Sequence, residues 1–149
     1  MRLRYGLRPI RAPSLPRLGQ VTIARQRLGR SAEQLAASRL TAEGFRIVQR
    51  NARVRTPELI GEIDLIALEG DVLAFVEVKA GRSHSSAGPE RPVLAVDRRK
   101  QLRLRRLARA WLAECRSLPS FGALRFDVVG VQFDRSGELV TWEHLRAAF

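Results

Sequence analysis

The sequence predicts an α/β fold, a mixed central β-sheet flanked by helices, and three observations carry that prediction. Segments with the two-residue alternation of strands are interrupted by two segments with helical apolar spacing, in the order α-β-β-β-α-β-β. Two of the strand segments, residues 63–68 and 72–79, flank Glu69-Gly70-Asp71, a hairpin signal with glycine available for a left-handed turn position. The length of 149 residues suits one domain with a hydrophobic core and is short for two.

The elements follow in order. Residues 1–32 contain eight arginines and no acid, while the remainder has 19 basic and 15 acidic residues, so most of the +12 formal charge sits in this first segment. Residues 1–28 read as a basic, disordered tail or a phosphate-binding arm, and residues 29–149 as the single domain. Ser31 and Gln34 fit a helix capping box, residues 32–43 are helix formers, and Gly44 is a natural stop. Residues 45–49 have a strand pattern, and residues 50–60, with Asn, Pro and several charges, read as a loop before the hairpin. Residues 80–91, rich in Gly and Ser, form a second loop, and residues 93–115 a long helix ended by Ser117-Leu118-Pro119. Strands over 125–133 and 139–142, joined by a turn at Arg135-Ser136-Gly137, complete the pattern. No run of 18 apolar residues can span a bilayer, Cys115 is a single cysteine, and no secretory segment opens the chain, so the expected protein is cytoplasmic and makes no use of a membrane.

The hairpin holds the chemistry. Glu77 and Lys79 share one face of their strand with Leu73 and Phe75, and Val72, Ala74, Val76 and Val78 share the other, so both faces are apolar and the strand is interior. A two-residue turn at Gly70-Asp71 makes Glu69 face Val72, which places Asp64 opposite Glu77 and Glu62 opposite Lys79. Like charges facing each other across strands are destabilising and need compensation. Mg²⁺ or Mn²⁺ would supply it, because these ions take oxygen ligands from one or two carboxylates plus waters and substrate phosphates. Lys79 would then position an attacking water or stabilise charge on a phosphodiester undergoing hydrolysis. A Glu-x-Lys pair is also a common surface feature; its Val and Phe neighbours argue against that here.

Of 27 basic residues only Lys79 and Lys100 are lysine, which suggests that these two positions do not accept arginine. Val96, Lys100, Leu104, Leu107 and Trp111 follow the spacing of one helix face, so Lys100 falls in the middle of an apolar stripe, where it either snorkels outward or points over the sheet towards the carboxylates. Arg98, Arg99, Arg103 and Arg106 lie elsewhere on that helix and are candidates for tracking a nucleic-acid backbone, the alternative being a solvated face. Glu33 sits beside the stripe of Leu28, Ala32, Leu35 and Ala36. It is either a third acid facing the sheet or an ordinary first-turn acid favoured by the helix dipole. His84 and His144 lack ligand spacing and read as surface residues, Cys115 reads as core, and Asp127 reads as a support for the sheet through Arg125.

Five separate motifs, Gly29-x-x-x-Glu33, Gly61-Glu-Ile-Asp-Leu-Ile-Ala67, Phe75-Val-Glu-Val-Lys-Ala80, Arg125-Phe-Asp-Val-Val129 and the terminal Ala148-Phe149, resemble the bacterial YraN family from about Gly29 to Phe149. That family looks related to archaeal Holliday-junction resolvases within the PD-(D/E)XK nucleases. The resemblance implies a restriction-endonuclease-like sheet with Asp64, Glu77, Lys79 and Glu33 as catalytic residues, the three acids as metal ligands, and Lys100 in the helix where relatives often carry a further polar residue. It implies Mg²⁺- or Mn²⁺-dependent cleavage of DNA, branched or damaged DNA included; a homodimer is one assembly the chain could form, and the sequence does not fix the oligomeric state. Ile63 replaces the proline of the motif name, and residues 56–60 replace a shorter approach to Gly61-Glu62, which bears on substrate access. The alternative function is a non-catalytic module that binds nucleic acid or a repair or replication partner.

Overall fold

The computed structural model describes residues 18–149 except 84–90, 92 and 94–95, with the backbone alone for 18–22. The elements are α1 (Leu18–Ala42), β1 (Arg46–Thr56), β2 (Leu59–Glu69), β3 (Val72–Arg82), α2 (Arg98–Glu114), β4 (Ala123–Phe133) and β5 (Leu139–Leu145). They lie in one five-stranded sheet of order β1-β2-β3-β4-β5, in which β3 and β4 are parallel and the other neighbours antiparallel. The parallel pair requires a crossover, and α2 provides it. The predicted α/β class and element order are what the chain adopts, a mixed sheet flanked by helices in a restriction-endonuclease-like arrangement.

Small extensions carry β3 to Arg82, β4 back to Ala123 and β5 to Leu145, and three boundaries differ more from expectation. The first helix is described from Leu18, so residues 18–28, expected as part of the tail, lie within it; Leu28 packs against the core and Ser31 is an exposed interior residue instead of a cap. Its end is as expected: Gly44 takes φ +93°, and Phe45 N–H donates back to the Leu40 carbonyl at 2.9 Å. Residues 1–17, which hold the first part of the arginine-rich segment, lie outside the described residues, as do His84 and most of the Gly- and Ser-rich loop. Residues 50–60 form no loop. Ala52 and Val54 are buried on alternate positions while Arg53 and Arg55 face outward, and the exposed arginines mask a strand whose turn is Pro57-Glu58. Finally α2 begins at Arg98, where Asp97 in extended conformation accepts from Lys100 N–H at 2.9 Å.

Each face of the sheet buries one helix. Ala32, Ala36 and Leu40 of α1 meet Leu65, Ala67, Val76, Val129 and Val131, small alanines allowing close approach. Leu104, Leu107 and Trp111 of α2 meet Ala52, Val54, Ile63, Ile66, Leu73 and Phe75. A Cβ on Gly61 would stand 2.8 Å from Leu107 Cδ2, so glycine leaves room for the Leu107 side chain over β2.

The sheet is forked. Pairing of β2 with β3 runs from Glu69↔Val72 to Leu65↔Val76 and stops, whereas β1 and β2 stay paired to Thr56↔Leu59 and β3 and β4 to Arg82↔Phe133. Beyond Leu65 the strands therefore divide into a β1–β2 arm and a β3–β4 arm. At the same level the side-chain alternation is reset: Ile63 packs on the α2 side and Leu65, two residues on, packs on the α1 side. Asn51, between the Arg50↔Leu65 and Ala52↔Ile63 pairs, takes φ +47° there.

Asp127 supports the sheet through Arg125, as expected. It is fully buried and accepts hydrogen bonds from Arg125 Nε (2.8 Å), Arg125 Nη2 (3.0 Å) and Ala147 N–H (3.0 Å), with His144 Nε2 at 3.0 Å. Arg125 also bonds Glu69 at 2.7 Å, which ties β4 to the hairpin. Burial alone would raise the Asp127 pKa; the bonds from His144, Arg125 and the Ala147 amide outweigh it and hold the carboxyl below its usual range. His144 is consequently an inward residue, with its ring against Phe45 and its side chain only 7% exposed, and is not a surface histidine.

Candidate functional site

Asp64 lies at the branch point of the fork. Continuing the hairpin register one step past Leu65↔Val76 sets it against Glu77, as the two-residue turn requires, but the two strands no longer pair there. Its Oδ2 instead accepts the Val78 N–H at 2.7 Å, so the carboxylate takes the place of a strand partner and is aimed across the fork. Burial, then the charge of Glu77, and to a smaller degree that of Glu33, raise the Asp64 pKa from 3.8 to about 7 against the lowering effects of the Val78 amide and Lys79. The expected like-charge conflict is present.

Lys79 partly answers it. Its Nζ is bonded to Glu77 Oε1, both side chains being about one fifth exposed. The cation is thus held against the acid two residues earlier. The expected Glu62–Lys79 pairing does not form, because the fork separates the strands before that level; Glu62 turns to Arg53 Nε and Asn51 Nδ2, each at 3.3 Å. Glu33 reaches inward from α1 and accepts from Asn51 Nδ2 at 2.7 Å. Asn51 is the residue that sequence reading missed. Its left-handed backbone, which Asn tolerates better than most residues, carries its amide between Glu33 and Glu62. An asparagine breaking an otherwise arginine-rich alternating strand is the signal that could have found it.

The other candidates lie on the exposed surface of α2. Lys100 is exposed in the first turn of α2, because the helix starts at Arg98; Val96, although buried, precedes the helix, so the apolar stripe begins at Leu104 and Lys100 is not in its middle. Arg98, Arg99, Arg103 and Arg106 are all exposed. Arg103 is occupied with the Ile60 carbonyl at 2.6 Å, and Arg106 lines a shallow depression with Thr56, Glu58 and Arg109. The chain entering α2 does pass close to the site, since Val93 and Val96 cover Val128, the partner of Glu77 across β3–β4.

Among the described residues no group of three or more His, Cys, Asp and Glu side chains converges as a metal-binding set, so Glu33, Asp64 and Glu77 do not form a closed triad. The donor chemistry nonetheless suits a hard divalent cation. Asp64 and Glu77 offer oxygen alone, one of them half-buried with a raised pKa, and a cation between them would relieve the repulsion. Glu33, tethered by Asn51, is the acid available to complete the set.

The model of a family described as uncharacterised protein family UPF0102 matches residues 32–131, a span that contains Glu33, Asn51, Asp64, Glu77 and Lys79. A UPF0102 protein of Parafrankia sp. (strain EAN1pec) is 47% identical over 126 residues, covering 83% of this chain and 97% of the relative. One from Streptomyces griseus subsp. griseus is 46% identical over 123 residues, covering 83% and 96%, and one from Dictyoglomus thermophilum is 35% identical over 122 residues, covering 82% and 96%. None of the described helices is long and apolar enough to cross a membrane.

Proposed function

The chain belongs to the uncharacterised protein family UPF0102, the YraN family that its motifs resemble, and from that premise we propose that it is a Mg²⁺- or Mn²⁺-dependent nuclease that hydrolyses phosphodiester bonds in DNA, branched or damaged DNA included. The observation that carries the proposal is the half-buried Asp64 set against Glu77 at the fork, with Lys79 bonded to that glutamate. Asp64 and Glu77, with Glu33 from α1, would hold the ion, which when bound supplies charge neutralisation and polarises a phosphate oxygen. The protein's own contributions are positional and electrostatic. The Val78 amide fixes the Asp64 carboxylate, and Asn51 holds Glu33 towards it. Lys79 places positive charge beside the reacting phosphate, where negative charge grows as water attacks. The β2–β3 pairing ends at Leu65↔Val76, and the substrate phosphate would approach at that parting of the strands.

Incubation with linear, flapped and four-way DNAs in Mn²⁺ or Mg²⁺ tests this reading. Metal-dependent products that vanish in Asp64→Ala, Glu77→Ala and Lys79→Ala are expected; products that persist in all three place the chemistry elsewhere. A second reading, a module that binds nucleic acid without cutting it, draws on the exposed Arg98, Arg99 and Arg106 of α2. It requires salt-sensitive binding in chelator and no product in either metal.

A further inference from the structure

We infer that the nucleic-acid strand reaches the fork across the β1–β2 arm and α1, with its phosphates on Arg30 and Arg50 and its backbone over Gly29, and not along the arginines of α2. This rests on the proposed nuclease reading and assigns its substrate path. An open depression of about 580 Å³ lies between α1 and β1, bounded by Gly29, Arg30, Glu33, Arg50, Asn51 and Arg53 among others. Glu33 lines this depression, is held there by Asn51, and its charge acts on Asp64, so the depression borders the site on its α1 side. By contrast, the depression that Arg106 and Arg109 line on α2 shares no residue with that cluster.

The charges favour phosphate. Arg53 is matched by Glu62, and Asn51 satisfies Glu33, but among the described residues neither Arg30 nor Arg50 has an acidic partner, and both are exposed. Two cations are thereby left facing an open concavity one step from the reacting centre, an arrangement suited to successive phosphates of a backbone. On α2, Arg103 is engaged by the Ile60 carbonyl and Arg105 lies over the Phe126 and Phe149 rings, which leaves that helix a less continuous track.

Gly29 supplies the independent observation. It sits inside a 25-residue helix, where glycine weakens the structure relative to an ordinary residue, and no turn or positive φ requires it. A Cβ there would meet nothing within 4 Å, so packing does not require glycine either. It lies one helical turn before Glu33 on the wall of the depression, where the absence of a side chain keeps the approach to the acid open.

Binding of a labelled four-way DNA junction, measured by fluorescence polarisation in chelator over a salt series, tests the path. Gly29→Leu is expected to weaken binding about tenfold or more while the melting temperature stays level or rises. Arg30→Ala/Arg50→Ala is expected to reduce the slope of log K against log salt by about 2, one for each phosphate that the two arginines no longer neutralise. Arg98→Ala/Arg99→Ala is expected to leave the slope near the wild-type value. The path is overturned if the first two variants bind like the wild type, or if the slope falls in the α2 variant alone; metal-dependent cleavage would then still stand. Binding that follows the expected pattern without cleavage would instead sink the nuclease and keep the path, and a wild type that binds no junction would overturn both.

Discussion

Asp64→Asn makes the protein more stable at neutral and alkaline pH while removing its response to metal. The substitution is nearly isosteric, and the amide oxygen can still accept the Val78 N–H that Asp64 accepts at 2.7 Å. What it removes is a carboxylate that folding holds at a pKa of about 7, against 3.8 for the free group. Below about pH 4 both folded and unfolded chains keep the proton and the group is neutral in its effect. Between about pH 4 and 7 the unfolded chain releases the proton while the folded one retains it, so stability falls by up to ~1.4 kcal/mol per pH unit and reaches its floor above pH 7. The full span sets a ceiling of about 4 kcal/mol, and partial solvent access brings the expected gain for Asp64→Asn near pH 8 to about 2–3 kcal/mol. For a chain of this size that is roughly 6–12 °C in melting temperature. Thermal melts of both proteins from about pH 4 to pH 8, with chelator and with Mn²⁺, check it. In chelator the curves coincide in acid and diverge towards alkali; in Mn²⁺ the wild type rises and the variant does not. A variant that melts at or below the wild type near pH 8, with the same pH slope, would refute the reasoning, because Asp64 would then not carry a cost of ionisation for a cation to relieve.

Three further outcomes follow from the same geometry. Gly61→Ala places a Cβ 2.8 Å from Leu107 Cδ2 and 3.0 Å from Arg103 Nη2, and is expected to cost about 1 kcal/mol in denaturant unfolding by forcing the buried Leu107 side chain to repack. Asp127→Ala strips the buried partners of Arg125 and His144 and is expected to cost about 3–5 kcal/mol. Because the folded Asp127 pKa is held below 3.8, its contribution is present above about pH 4 and lost as pH falls through the folded value, so acid melts of this variant should lose part of the wild type's pH dependence. Asn51→Gly accepts φ +47° without strain, so the fold should stay within about 1 kcal/mol, but Glu33 loses its tether. Mn²⁺ affinity by calorimetry should fall about 10- to 100-fold, and an unchanged affinity would remove Glu33 and its support from the metal set.

The sequence by itself determined what depends on local periodicity. The strand alternation of residues 72–79, the glycine turn and the helix stop at Gly44 belong to this kind, and all three are in the structure. The register that sets Asp64 against Glu77 follows from the turn alone, since a two-residue loop allows one alignment. Arginine concealed the second half of β1, because exposed charged residues on alternate positions resemble a loop until Ala52 and Val54 are seen to be buried against α2. Lys100 was misplaced because a helical stripe is extrapolated past the cap that ends it, and only Asp97 marks where the helix begins. The hairpin carboxylates with which the chemistry began were therefore legible, but their surroundings were not. Where β2 parts from β3, which amide aims Asp64, and how Asn51 brings Glu33 from a separate helix are contacts between residues 14 to 18 positions apart. Such contacts arise when two layers pack on opposite faces of one sheet, and no local pattern encodes them.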